Sequence, residues 1–234
     1  MQPSFVTPPV PPAARSFGAL LGDALRRPGG RRAVSVLSLV LFLAGAGMFA
    51  YPVGTDLYSR YKQGQLSGAF DDPQVREAYR LRKIGVGEGL TRLRIKKLGV
   101  DVLVVEGTTP AALRAGAGHY PDSPLPGEVG NVAIAGHRTT FGRPFNRMDE
   151  LGPGDVLELE TPFSVFTYKA VKDFGGHSNP WVVKPTDFSV VAQEGVKKGL
   201  TLTTCHPKGS AKQRLVMRFE LVGEKAVERK GDST

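Results

Sequence analysis

A cysteine, a histidine and an arginine stand at the ends of three predicted β-strands. Cys205 ends the apolar run LTLTTC, His137 follows the run NVAIAG, and Arg214 opens the run RLVMRFELV. A cysteine thiolate is a nucleophile, an imidazole transfers protons and a guanidinium stabilises a developing oxyanion, so the three together suit acyl transfer. Taken singly, each also has an ordinary structural role. Cys205 is the only cysteine, and it is therefore buried and inert, paired between chains, or a working nucleophile.

The strands that carry these residues belong to a series of short β-rich segments. Short runs of β-branched and aliphatic residues separated by turn residues predict strands. They lie at 90–95, 100–105, 131–136, 155–160, 164–171, 181–183, 200–205 and 214–222. One or two short helices accompany them, one of them capped by Thr109 with Pro110 in its first turn. The pattern predicts a mainly β fold, a closed β-barrel of about eight strands, over residues 86–223.

An uncharged segment near the N-terminus predicts a transmembrane helix. Residues 33–55 contain no charged side chain, and at 1.5 Å per residue they reach about 34 Å, enough to cross a hydrocarbon core of about 30 Å. A cleaved signal peptide is the alternative, but the run exceeds its usual apolar length. Arginines 26, 27, 31 and 32 precede the span and predict a cytoplasmic N-terminus with the barrel outside the cell, at the cell membrane.

Three polar segments flank the span and the barrel. Residues 1–32 are rich in proline and arginine, which predicts a disordered cytoplasmic tail. Residues 56–85 predict an extracellular, helical stalk, with a helix start at Asp72-Pro73. Residues 224–234 predict a polar C-terminal tail.

Composition and charge exclude several classes of protein. The chain is 41% hydrophobic and 23% charged, which excludes full-length disorder. A single cysteine excludes a disulfide scaffold. Of the net charge of +9, residues 1–32 carry +4 and residues 85–223 only +3. The predicted barrel is therefore only mildly basic, and no dense basic run with interleaved aromatic residues occurs, so we expect no nucleic-acid partner.

The motifs TLTTC at 201–205, an arginine nine positions later and AGHR at 135–138 resemble the signature of the sortases, membrane-anchored cysteine transpeptidases of Gram-positive bacteria. The resemblance covers about residues 86–223. The stretch from GHYPDSPLPGEVG to FNRMDELGPGD is most similar to the class E sortases of high-GC Gram-positive bacteria.

The resemblance implies a mechanism and partners. Cys205 would cleave a C-terminal sorting signal of secreted proteins between Thr and Gly, forming a thioacyl enzyme. His137 would exchange the protons, and Arg214 would hold substrate or the oxyanion. An amine on a lipid-linked peptidoglycan precursor would then accept the acyl group, with no cofactor. Class E further implies a Leu-Ala-x-Thr-Gly signal, for which Tyr120 would shape the pocket, while Thr204 would line it or bond the substrate.

Other residues and functions stay open at this point. We expect His119, His206 and His177 to be structural or less suitable partners of Cys205, and Trp181 to be an anchor residue. Scattered acids such as those at 128, 149 and 150 form no dense cluster, so we expect no metal. The alternatives are a pilin-polymerising sortase, whose lid would need an aromatic residue where Asp72-Pro73 is followed by glutamine, and a non-catalytic extracellular peptide-binding barrel.

Overall fold

The computed structural model describes residues 16, 18, 22, 23, 26, 28–70, 72–192 and 197–227. The expected tail at 1–15 and most of the expected C-terminal tail, residues 228–234, lie outside the described residues. The chain divides into two compact units, residues 1–50 and 51–234.

Helix α1, Pro28–Ala69, contains the predicted span. Its most apolar 18-residue window has a mean hydropathy of 2.2 and no buried residue, so the helix is long and apolar enough to cross a membrane. The helix also continues into the segment predicted to be a stalk and ends there at Ala69. Helix α2, Pro73–Arg80, follows, and the Asp72 side chain caps it by accepting a hydrogen bond from Gln74 N, as predicted.

The barrel begins with two strands, a short helix and two further strands. They are β1, Gly89–Ile95; β2, Val100–Glu106; helix α3, Pro110–Ala115; β3, Ala117–His119; and β4, Gly130–Gly136. Thr109 caps α3 as predicted, accepting a hydrogen bond from Ala112 N. Between β1 and β2 the chain turns at Gly99, whose φ of 66° lies in the left-handed region that glycine adopts without strain.

The second half contains β5, Val156–Glu160; β6, Ser164–Ala170; a hairpin of β7, Asp173–Phe174, and β8, His177–Ser178; β9, Trp181–Val183; β10, Lys198–His206; and β11, Gln213–Ala226. Short 3-10 turns occur at Lys96–Leu98, Met148–Glu150 and Phe188–Val191.

Eight strands close on themselves in the order β10-β4-β3-β2-β1-β5-β6-β11, with β11 pairing back onto β10. The predicted closed barrel of about eight strands is therefore confirmed. Two details differ from the strands predicted from the sequence. The predicted strand at 181–183 is β9, which lies outside the ring on the edge of β11. Its place in the ring is taken by β3, whose residues Ala117–His119 give no periodic signal over only three positions.

The barrel interior is filled by alternate side chains of these strands. From β10 and β11, Leu200, Leu202, Met217 and Phe219 are fully buried in one apolar cluster. Because side chains alternate between the two faces of a strand, the residues between them face outward. Cys205 belongs to this outward set.

The part of α1 within the second unit contacts the barrel. The Gln63 amide donates to Leu103 O and Ala115 O, both at 2.9 Å, and Leu103 N donates to Gln63 Oε1 at 2.7 Å. Glycine at 116 is required there, because a Cβ would collide with the Gln63 amide and lie 2.9 Å from the backbone oxygen of Leu103. The segment predicted to be a stalk is thus docked on the barrel through contacts that the sequence pattern did not indicate.

Candidate active site

Cys205 lies near the end of β10, and β10 lies between β4 and β11. It is a free, half-buried cysteine. In the antiparallel pair of β10 and β11, Cys205 is directly opposite Arg214. Opposed residues of an antiparallel pair project to the same face with Cβ atoms about 5 Å apart. The thiol and the arginine side chain therefore share the outer face of the barrel.

His137 reaches the same position from the other side of β10. Thr204 pairs with Gly136, the last residue of β4, in the parallel ladder, so the next position along each strand holds Cys205 and His137. Neighbouring strands lie about 4.8 Å apart. The register thus brings together the three residues that the sequence analysis selected, with Cys205 in the middle.

Two contacts hold the end of β4 in place. The Thr204 hydroxyl donates to Gly136 O at 2.8 Å, which ties the strand that carries the cysteine to the strand that carries the histidine. Gly136 lies against the ring of Phe145, where a Cβ would be only 2.5 Å from ring atom Cδ2. Thr204 is buried on the face opposite to Cys205, so the structure places its hydroxyl within the barrel wall.

His137 is partly buried, and this burial is the main reason that its pKa is lowered from the ordinary value. The positive charge of Arg114 lowers it further. With a pKa below about 6.5, the imidazole is mostly neutral at pH 7. When protonated it is a stronger acid than an ordinary histidine, which suits proton donation to a leaving amine.

Arg214 is held at the start of β11 by its own turn. Its Nη1 donates to Ala211 O and to Gln213 O, each at 3.0 Å. These bonds hold the guanidinium against the turn that joins β10 to β11. The remaining donors suit an anionic oxygen, because a guanidinium carries five N–H groups in a fixed geometry.

Arg138 is a site residue that the sequence analysis did not single out. Its side chain is buried, and Nη1 lies 3.3 Å from Cys205 O and 3.0 Å from His206 Nδ1. Its Nη2 makes an ion pair with Asp149 at 2.9 Å. Arg138 therefore fixes the backbone that carries Cys205. The sequence carried one signal for Arg138: it is a charged residue that directly follows His137, so on an extended chain its side chain points to the opposite face.

Tyr120 is brought to the same face as Cys205. Its hydroxyl lies 3.4 Å from Thr203 Oγ1, and Thr203 precedes Cys205 by two positions, so both project outward from β10. The structure thus places Tyr120 along the strand from the thiol.

His119 positions the loop that carries Tyr120. It is buried, with Nδ1 2.9 Å from Glu106 Oε2, and Nε2 3.0 Å from Pro124 O and 2.8 Å from Ser123 Oγ. Both ring nitrogens are thus engaged in the barrel wall, which agrees with the expected structural role.

The other candidates lie in different surroundings. The His206 ring contacts Arg138. His177 lies on β8, exposed, with its ring parallel to that of Trp181 at 6.1 Å. Within the described residues no group of three His, Cys, Asp or Glu side chains is arranged to hold a metal ion. The scattered acids noted above pair with Arg82, Arg138, Arg147 and Lys208.

The comparisons with known proteins agree on one family. A family model of the sortase domain matches residues 93–222. Sortase D of Bacillus subtilis (strain 168) is 36% identical over 134 residues, which cover 56% of this chain and 63% of the relative. Sortase SrtE2 of Streptomyces coelicolor is 31% identical over 242 residues, covering 91% of each chain.

The solved structures agree with the sequence relatives. The crystal structure of Sortase E1 from Streptomyces coelicolor with a tripeptide in the active site matches with a TM-score of 0.54 and 32% identity, over 60% of this chain and 91% of that chain. The chain spans less than two thirds of the length of the Bacillus relative. Both SrtE2 and Sortase E1 are consistent with the class E resemblance of the sequence.

Proposed function

Since the chain belongs to the sortase family, we propose that it is a cysteine transpeptidase with Cys205 as nucleophile, His137 as acid and base, and Arg214 as the group that binds the substrate carbonyl or its oxyanion. The register that places Cys205 between His137 and Arg214 on one outer face of the barrel is the observation that carries the proposal.

The reaction has two balanced steps. In the first, the Cys205 thiolate attacks the Thr carbonyl of a Thr–Gly bond. The C–N bond breaks, and the His137 imidazolium gives its proton to the departing glycine amine. In the second, an incoming amine attacks the thioester, His137 takes a proton from it, and the thiolate departs. The thioacyl enzyme divides one difficult amide exchange into two easier steps.

Arg214 and His137 have complementary electrostatic roles. The guanidinium offers a fixed positive charge to the carbonyl oxygen as it becomes negative, which is worth most in a partly dehydrated site. The lowered pKa of His137 makes the protonated form the minority at neutral pH, so the reactive enzyme is the fraction in which thiolate and imidazolium coexist.

For the substrate, we propose a C-terminal sorting signal of the Leu-Ala-x-Thr-Gly type. The similarity to SrtE2 and Sortase E1 supports it, and so does Tyr120, which lies on the face of Cys205 beside Thr203. Tyr120 would limit the space for the residue before x, while Thr204 would act by holding the strand ends together. The acceptor would be an amine of a lipid-linked peptidoglycan precursor.

We further propose that α1 anchors the enzyme in the cell membrane with the N-terminus inside and the barrel outside. The apolar window of the helix and the arginines that precede it support this orientation. A membrane-linked acceptor would then share the surface to which the barrel is tethered.

The test uses the full chain in detergent micelles with fluorogenic peptides that carry Leu-Ala-x-Thr-Gly or Leu-Pro-x-Thr-Gly, with and without a glycine-based amine. We expect an amine-joined product, faster turnover of the Ala peptide, and loss of both with Cys205→Ala or His137→Gln. His177→Gln is the matched control and should keep its activity. A lysine side chain accepted in preference to glycine would favour pilin polymerisation. Turnover that survives Cys205→Ala would refute the nucleophile.

A further inference from the structure

The loop that follows His137 contains three consecutive residues in the left-handed region. Phe141 has a φ of 52°, Gly142 of 75° and Arg143 of 49°. A residue with a side chain pays about 1–2 kcal/mol for this conformation. Two such residues in one short loop persist only where surrounding contacts impose the conformation.

Those contacts come from helix α1. Gly142 N donates to Asp56 Oδ1 at 3.0 Å, and the Arg143 guanidinium pairs with Asp56 Oδ2 at 2.7 Å. The Asp56 side chain is only 16% exposed, so both interactions are partly sheltered from water. Buried Ser59 covers the same point, since a Cβ on Gly142 would lie 2.8 Å from Ser59 Oγ.

The same loop carries an aromatic ring onto the imidazole. The rings of Phe141 and His137 are 5.1 Å apart, with an interplanar angle of 40°. Tyr58 of α1 meets the Phe141 ring edge-on at 6.4 Å, and the Arg114 guanidinium of α3 lies 6.0 Å from the same ring. Phe141 therefore lies between the helix and the histidine and covers one side of the imidazole.

We propose that Asp56 is a positioning residue for His137. By holding residues 141–143 in the left-handed conformation it keeps Phe141 against the imidazole, and this orients the acid–base group and shields it from water. The part of α1 beyond the span is then a component of the active site as well as a tether. Only the catalytic consequence rests on the proposed function, because the geometry concerns His137 itself.

The charged groups around His137 determine the sign of the expected effect. Arg114 on α3 faces the imidazole and disfavours its protonation. By register Cys205 on β10 lies beside it and Arg214 on β11 lies beyond Cys205, while the Asp56–Arg143 ion pair is made by the loop that carries Phe141. Removing a carboxylate can only lower a histidine pKa by electrostatics, whereas hydrating the imidazole raises it. A rise in the pKa of His137 is therefore expected from loss of the Phe141 cover, or of the Arg114 guanidinium that lies over the same ring, and not from loss of the carboxylate charge.

The experiment compares Asp56→Ala and Asp56→Asn with Gln63→Ala in the full chain in detergent micelles. Gln63→Ala removes three hydrogen bonds that dock the same helix but leaves the loop contact untouched. The pKa of His137 is followed by NMR of 13C-labelled histidine, with its signal identified by His137→Gln. Peptide cleavage is measured in parallel as kcat and KM.

We expect Asp56→Ala to raise the pKa of His137 towards the ordinary 6.5 and to lower kcat about 10- to 100-fold, with KM changed less than about threefold. Asp56→Asn, which keeps an acceptor for Gly142 N–H, should recover part of both. Gln63→Ala should lower the unfolding temperature and leave the pKa in place. Phe141→Leu, which removes the ring but keeps Asp56, should reproduce the rise in pKa.

Two results would overturn the proposal. One is an unchanged His137 pKa in both Asp56→Ala and Phe141→Leu. The other is a loss of kcat in Gln63→Ala equal to that in Asp56→Ala, which would mean that Asp56 serves only to dock the helix. The NMR measurement needs no turnover, so it decides the matter even for a chain that fails to transpeptidate, and failure of the proposed function is recognised separately.

Discussion

Gly136, the last residue of β4 and the residue immediately before His137, packs against the ring of Phe145. A Cβ at this position would lie 2.5 Å from Cδ2 and 2.6 Å from Cε2 of a fully buried ring, well inside the usual carbon–carbon contact. Gly136→Ala must therefore push the ring and the strand end apart. Overpacking of this kind costs about 1–3 kcal/mol of unfolding free energy.

The catalytic effect should exceed the loss of stability. Phe145 N donates to His137 O at 3.2 Å, so a displaced Phe145 moves the histidine backbone directly. Because a shift of about 1 Å in a catalytic group costs about 100-fold in rate, we expect the rate of thioacyl formation to fall by that order. The unfolding temperature should fall by about 2–12 °C, at roughly 2–4 °C per kcal/mol for a chain of this size.

The assay combines thermal unfolding with stopped-flow release of the peptide leaving group. Gly152→Ala is the matched control, because nothing lies within 4 Å of a Cβ there, and its stability should change by less than about 0.5 kcal/mol. Phe145→Leu added to Gly136→Ala should restore part of the rate by making room. A Gly136→Ala variant with normal stability and normal rate would refute this reasoning.

Three further predictions follow from the same site. The pKa of His137 is lowered in the folded chain, so as the pH falls through about 6.5 the unfolded chain binds the proton first and the folded state loses stability. Denaturant titrations at pH 7.5 and pH 5 should therefore show that wild type loses more unfolding free energy than His137→Gln. An equal loss in the two proteins would contradict the lowered pKa. Arg138→Ala removes charged hydrogen bonds to Cys205 O and His206, and we expect the free energy of unfolding in urea to fall by about 1.5–3 kcal/mol. An unchanged free energy of unfolding would argue against a role of Arg138 in holding the end of β10. Arg214→Ala should lower kcat about 100- to 1000-fold with little change in stability, and Arg214→Lys should retain part of it; a change confined to KM would make Arg214 a binding residue only.

The strands of the barrel were largely predictable because their apolar residues alternate and their ends carry turn residues. The predicted run 200–205 lies within β10, and 214–222 lies within β11. Strand β3 was missed because Ala117–His119 is too short for a period of two to be visible. The place of β9 outside the ring was also hidden, because a strand's own residues do not say which of two edges it joins.

The candidate site was predictable where residue type and strand ends carried the signal, and hidden where distant contacts did. Cys205, His137 and Arg214 stand at strand ends, so closing the barrel places them side by side. Asp56 contacts Gly142 across 86 positions of sequence, and Arg138 contacts Cys205 across 67. The residues next to Asp56 and Arg138 in the sequence do not indicate these contacts, because they form only when helix α1 and the loop after β4 pack in the folded chain.

The most direct measurement of the central claim is the intact mass of the full chain, quenched in acid during turnover of a Leu-Ala-x-Thr-Gly peptide. We expect an adduct equal to the peptide fragment ending at Thr, attached to Cys205, discharged by a glycine-based amine and absent in Cys205→Ala. His177→Gln should accumulate the adduct as wild type does. Peptide cleaved with no adduct under any quench, or an adduct that persists in Cys205→Ala, would contradict the assignment of Cys205 as the acyl carrier.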